Sequence, residues 1–93
     1  MRVLVVEDET KVGSFIKRAL EEESYAVDLC EDGAQGLDQA LTGSYDLIMI
    51  DLMLPGRDGL EILRTVRQRG LATPVIILSA RDTVEDRIRG LDQ

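Results

Sequence analysis

Four short runs of mostly apolar residues, Arg2 to Val6 (RVLVV), Ala26 to Cys30 (AVDLC), Leu47 to Ile50 (LIMI) and Val75 to Leu78 (VIIL), recur along the chain, each followed by a longer amphipathic stretch. Continuous β-branched and aliphatic runs suit strands covered on both faces, as in a parallel sheet. In the second run Asp28 breaks the apolar pattern, so it reads as an edge strand with one face partly wet. Val12, Phe15, Ile16, Ala19 and Leu20 follow helical spacing and predict one apolar stripe, opposite Lys17, Arg18, Glu21 and Glu22. Ala34, Leu37, Ala40 and Leu41 predict a second helix ending at Gly43. Leu60, Leu63 and Val66 predict a third, stopped by Gly70 before Thr73-Pro74, and Val84, Ile88 and Leu91 a fourth beginning near Thr83. The order βαβαβαβα implies a parallel sheet with right-handed crossovers and helices on both faces. A length of 93 residues allows one domain.

Composition narrows the chemistry. The chain has no histidine and one cysteine, Cys30, which excludes His/Cys metal sites, Ser/His/Asp triads and Cys/His pairs within it. Any metal is expected to be a hard cation held by oxygens. With net charge −7 and basic residues scattered from Arg2 to Arg89, no basic face is expected to read nucleic acid directly. Phe15, Tyr25 and Tyr45 are too few to stack bases. No apolar stretch approaches the ~20 residues of a membrane span, and the N-terminus lacks a signal-peptide pattern. A cytoplasmic location without membrane partners is therefore expected, and a reduced Cys30 agrees with it.

In an open parallel sheet, ligands bind beyond the carboxyl ends of the strands where the winding reverses. Strand one ends in Glu7-Asp8-Glu9, strand three in Asp51 and strand four in Ser79-Ala80, whereas Glu31-Asp32-Gly33 follows the edge strand and lies to one side. Taken singly, an acidic pair after a strand is a solvated turn, an aspartate before Leu54-Pro55-Gly56 a turn former, and a serine a cap. Taken together, the topology gathers them at one end of the sheet, where carboxylates repel unless a cation or protons sit between them. Without imidazole or thiolate the cation is expected to be Mg²⁺ or Mn²⁺. Glu7 and Asp8 form a natural metal-holding pair. Asp51, alone at its strand end, is the better nucleophile, and its attack on a phosphoryl group would give an aspartyl phosphate. The glycine- and proline-containing turn from Leu54 to Gly59 can direct backbone groups toward it. Ser79 would hydrogen-bond a phosphoryl oxygen, and Ala80 would leave the approach uncrowded.

These residues resemble the receiver domain of bacterial two-component response regulators. The segments VLVVEDE, DLIMIDLMLPGRDGLE, PVIILSARD and DRIRGLD carry the resemblance over the whole chain, and the run from Asp51 to Leu60 is similar to the OmpR/PhoB subfamily. The resemblance implies a flavodoxin-like (CheY-like) doubly wound α/β fold with strand order 2-1-3-4, residues 1–93 forming a receiver incomplete at its C-terminus. By the same resemblance Asp51 matches the phosphoacceptor, Asp8 and Asp51 side-chain metal ligands, Met53 a ligand through its backbone carbonyl, Glu7 an acidic partner acting in part through water, and Ser79 the hydroxyl that senses the phosphoryl group. The implied partner is a sensor histidine kinase. The implied role is a regulator that assists its own aspartyl phosphorylation and dephosphorylation rather than an enzyme, with DNA contacted only through an output domain beyond these residues.

The family pattern continues with a fifth strand ending in a lysine, an aromatic and a fifth helix. Lys11 and Lys17, near or in the first helix, match none of these. Loss of that strand is expected to leave strand four as an exposed edge and to favour self-association through strand four or helix four. A haloacid-dehalogenase-like phosphatase would want an aspartate at position 53, which is Met53. A nucleotide- or flavin-binding module would want a phosphate loop after strand one, where Glu7-Asp8-Glu9 would repel it. A receiver that only binds partners gives no reason for Asp8, Asp51 and Ser79 to occur together.

Overall fold

The computed structural model describes residues 1–52, 54 and 58–78. Seven elements follow in the order β1 (Arg2–Val6), α1 (Thr10–Glu22), β2 (Ala26–Cys30), α2 (Gly33–Thr42), β3 (Leu47–Asp51), α3 (Gly59–Gln68) and β4 (Val75–Leu78). The strands are all parallel and ordered β2-β1-β3-β4, with Val5 beside both Leu29 and Met49, and Ile50 beside Ile77. The expected doubly wound sheet is therefore present. The fourth helix lies outside the described residues.

Alternation along β1 explains the two layers. Leu4 and Val6 point to one face, where they join Ile48 and Ile50 of β3, Ala40 of α2, and Ile62 and Val66 of α3. Val3 and Val5 point to the other and pack with Val27, Ile16 and Leu20 under α1. These four side chains, Val3 to Val6, are fully buried, as a central parallel strand requires. Asp32 caps α2 by accepting the Gln35 N–H at 2.7 Å, and Asp58 caps α3 by accepting the Leu60 N–H at 2.9 Å. Gly70, at φ +80°, ends α3 in the left-handed conformation, and the Arg67 guanidinium donates to the Leu71 and Thr73 carbonyls on the way into β4.

The helical stripes differ in detail from the spacing argument. In α1, Val12, Phe15 and Ala19 face outward, Phe15 with 71% exposure, while Gly13, Ile16 and Leu20 face the sheet. The cause is Gly13: a Cβ there would lie 2.9 Å from Leu29 Cδ1, so the helix turns its smallest residue toward β2 and rolls the rest of the stripe aside. In α2, Ala34 is exposed and Gly33 and Gly36 are buried. In α3, fully buried Ile62 takes the inward position, and Leu60 is 40% exposed. The apolar run of β4 is less covered than its composition suggests, with Ile76 at 46% exposure, because it lies beyond the β1–β2 surface that α1 covers.

Candidate metal and phosphoacceptor site

Two adjacent strands set the site. Beyond β1, the Glu7 N–H donates to the Cys30 carbonyl at 2.9 Å, so the ladder continues one residue past the strand and buries the Glu7 side chain. Beyond β3, the Leu52 N–H donates to the Leu78 carbonyl at 2.8 Å, and the Gly59 N–H, at the start of α3, donates to the Leu52 carbonyl at 3.2 Å. Asp51 is thereby held between β4 and α3. Glu7 and Asp51 are each 2% exposed, whereas Asp8 is open to solvent. One carboxylate oxygen from each of Glu7, Asp8 and Asp51 lies within 4.8 Å of the others.

Such crowding has an electrostatic consequence. Burial raises the Glu7 carboxyl from its ordinary 4.5 to about 7, with the Asp51 charge, a side-chain hydrogen bond to Asp51 and the Asp8 charge adding to the rise. The Glu9 N–H, which donates to Glu7 Oε1 at 3.2 Å, works against it. The raised Glu7 carboxyl marks how strongly burial and its acidic neighbours disfavour a further negative charge there. A divalent cation would relieve this repulsion, and three oxygen donors without nitrogen or sulfur suit a hard cation such as Mg²⁺.

Three of the expected site residues, Glu7, Asp8 and Asp51, therefore come together. Met53, Ser79 and Ala80 lie outside the described residues, as do Pro55, Gly56 and Arg57 of the connecting turn. Lys11 and Lys17 are both on α1.

Toward the amino end of the sheet the structure holds a second polar cluster that sequence reasoning did not single out. The Tyr45 hydroxyl donates to Asp28 Oδ2 at 2.6 Å and sits 3.1 Å from Gln39 Oε1. Arg2 pairs with the same Asp28 oxygen at 3.2 Å, and its guanidinium lies 4.8 Å over the Tyr45 ring. The Arg2 N–H donates to Asp46 Oδ2 at 2.7 Å. The Tyr45 hydrogen bond, with help from Arg2, holds the Asp28 carboxyl below its ordinary value, and burial followed by Asp28 pushes the Tyr45 hydroxyl up to about 12. The signal was present in the lone Asp28 of an apolar strand and in Tyr45 just ahead of β3, but nothing in their spacing links them.

The family model for the response regulator receiver domain matches residues 3–93. The chain belongs to that family. This receiver is 49% identical over 92 residues to the transcriptional regulatory protein DltR of Streptococcus agalactiae, covering 99% of the chain and 41% of DltR. It is 50% identical over 92 residues to the transcriptional activator protein IrlR of Burkholderia pseudomallei, covering 99% of the chain and 40% of IrlR. It thus spans about two-fifths of the length of the curated relatives it matches. Among solved structures, the receiver domain of the Francisella response regulator 1452 superposes with a TM-score of 0.84 at 42% identity, over 98% of this chain and 75% of that one. The chemotaxis response regulator CheY4 of Vibrio cholerae gives 0.83 at 26% identity, over 98% and 78%. The fold is the CheY-like one, and the matched relatives are transcriptional regulators. No helix among the described residues is long and apolar enough to cross a membrane.

Proposed function

We propose that this receiver takes a phosphoryl group from a sensor histidine kinase onto Asp51 and thereby switches the surface it presents to a transcription-regulating output domain. The observation that carries the reading is the pairing of buried Glu7 with buried Asp51 at two neighbouring strand ends, with Asp8 beside them. Carboxylates placed this way destabilise the fold near neutral pH and make sense as a site whose charge is balanced in use.

An Asp51 carboxylate oxygen attacks phosphorus, the phosphorus–nitrogen bond of the phosphohistidine breaks, and the departing imidazole nitrogen keeps the electron pair and takes a proton. Glu7 and Asp8, with the Met53 carbonyl, would hold Mg²⁺ or Mn²⁺, Glu7 in part through water. When bound, the ion supplies neutralisation of charge on the phosphoryl oxygens. The same set assists hydrolysis of the aspartyl phosphate, so the receiver regulates its own lifetime without being an enzyme in the metabolic sense. Ser79 accepts the role of phosphoryl-sensing hydroxyl and Ala80 that of its small neighbour. The receiver works in the cytoplasm, and copies associate through β4 or the segment after it.

Intact-mass measurement after incubation with Mg²⁺ and an acyl-phosphate donor tests the central step. Wild type gains one phosphoryl group, and Asp51→Asn, which keeps the shape without the nucleophile, gains none. Equal uptake by both would refute the assignment.

A further inference from the structure

Gly59 opens α3 directly behind the main chain of Asp51. A Cβ at this position would lie 2.5 Å from the Asp51 carbonyl oxygen, 3.0 Å from Ile50 Cγ2 and 3.1 Å from Leu52 Cα. Two of those three neighbours are main-chain atoms, so no rotamer change can relieve the crowding, and either α3 or the Asp51–Leu52 backbone has to move. The other helix glycines facing the sheet are different: a Cβ on Gly13 would meet the Leu29 side chain, and one on Gly36 the Val6 side chain. Gly59 is the described glycine that meets the main chain of a site residue. Three contacts converge there. The Gly59 N–H donates to the Leu52 carbonyl at 3.2 Å, the Leu52 N–H donates to Leu78 at 2.8 Å, and Asp58 Oδ1 fixes the turn by accepting the Leu60 N–H at 2.9 Å.

We infer that Gly59 is a positioning residue for the reaction: the missing side chain lets α3 seat against the Asp51 backbone, and that seat sets where the Asp51 carboxylate stands relative to Glu7 and Asp8. The inference rests on Asp51 being the phosphoacceptor. Ligand distances are tolerant only within ~0.2 Å, and a misplacement of about 1 Å can cost ~100-fold in rate. A side chain at position 59 therefore acts on Asp51 through the backbone without touching phosphoryl or metal.

The test compares wild type, Gly59→Ala and Gly43→Ala. Gly43 lies at the opposite end of the sheet, where an added Cβ would crowd Tyr45 and the Gln39 carbonyl, so it reports what steric stress does to the fold alone. Mg²⁺ affinity is measured by calorimetry, and phosphoryl uptake from an acyl-phosphate donor by intact mass, both corrected to the folded fraction. Gly59→Ala is expected to bind Mg²⁺ about tenfold more weakly and to react ~10- to 100-fold more slowly per folded molecule. Gly43→Ala is expected to lose melting temperature yet match wild type in both readings. Wild-type affinity and rate in folded Gly59→Ala would overturn the inference, as would equal losses in Gly43→Ala. Should Gly59→Ala not fold, Asp58→Ala loosens the same turn without adding a Cβ. It is expected to lose several-fold in both readings, and no loss would overturn the inference. A wild type that binds Mg²⁺ but takes no phosphoryl group removes the phosphoacceptor reading, and the affinity comparison still decides the role of Gly59. A wild type that does neither removes both.

Discussion

At the amino end of the sheet Asp28 accepts from the Tyr45 hydroxyl at 2.6 Å and pairs with Arg2 at 3.2 Å, and its carboxyl is held below the ordinary range. At the carboxyl end Glu7 and Asp51 are almost fully buried beside Asp8, and the Glu7 carboxyl is raised to about 7. Both clusters tie neighbouring strands together through acidic side chains, yet their electrostatics have opposite sign. The first supplies donors and a cation from its own chain and so contributes to the fold. The second concentrates negative charge, which costs stability near neutral pH and which, on the proposed function, a cation balances. The difference separates a cluster that stabilises the fold from one that strains it.

The widest separation between the two ends is expected in phosphoryl uptake. Asp51→Asn should reduce it by at least ~100-fold, while Tyr45→Phe should stay within about twofold of wild type, as intact mass after acyl-phosphate treatment would report. An equal loss in both variants would break the division. Stability should respond in the reverse order. Tyr45→Phe removes the 2.6 Å bond to a carboxylate and should cost about 1–2 kcal/mol, seen as a lower midpoint in urea at unchanged slope.

Acidity distinguishes the two ends next. Glu7 binds its proton more tightly in the fold than in the unfolded chain, so its contribution is fully present below about pH 4.5 and is lost as the pH rises through about 7. Asp28, with a lowered value, contributes in the opposite sense, and its share fades only as the pH falls below the ordinary carboxyl range. Without divalent cations the protein should therefore be more stable at pH 5.5 than at pH 8, by about 2 kcal/mol. Urea titrations at the two values check this, and Glu7→Gln should flatten the difference.

The smallest expected effect concerns α1. Phe15→Ala should change stability by less than about 0.5 kcal/mol, against about 2 kcal/mol for Ile16→Ala, because Phe15 is 71% exposed and Ile16 packs under the sheet. Comparable losses would mean that the stripe read from spacing is the buried one after all.

That contrast also marks what the sequence made legible. The strand bounds of β1, β2 and β4 follow from apolar runs ended by acidic or turn residues, since a two-faced strand has few ways to hide in a sequence. Glu7, Asp8 and Asp51 could be brought together because parallel topology places all strand carboxyl ends on one side. The rotation of α1 was not legible, because it depends on Gly13 meeting Leu29, a contact between residues on different elements. The Arg2–Asp28–Tyr45 cluster escaped for the same reason, its members being 17 to 43 residues apart along the chain. The burial of Glu7 was hidden too: sequence spacing offers Glu7 and Asp8 as equals, and only the Glu7–Cys30 ladder bond turns one inward and leaves the other wet.

On the proposed function the carboxyl end of the sheet is a cation site destabilised by its own charge, and thermal unfolding followed through a Mg²⁺ titration near pH 7.5 tests this. Wild type should rise steadily in melting temperature with Mg²⁺ by mass action. Asp8→Asn should start higher than wild type in the absence of divalent cations, since one repelling charge is gone, and should gain much less as Mg²⁺ is added. A wild-type curve that does not respond to Mg²⁺, or that rises no more than that of Asp8→Asn, would contradict the account.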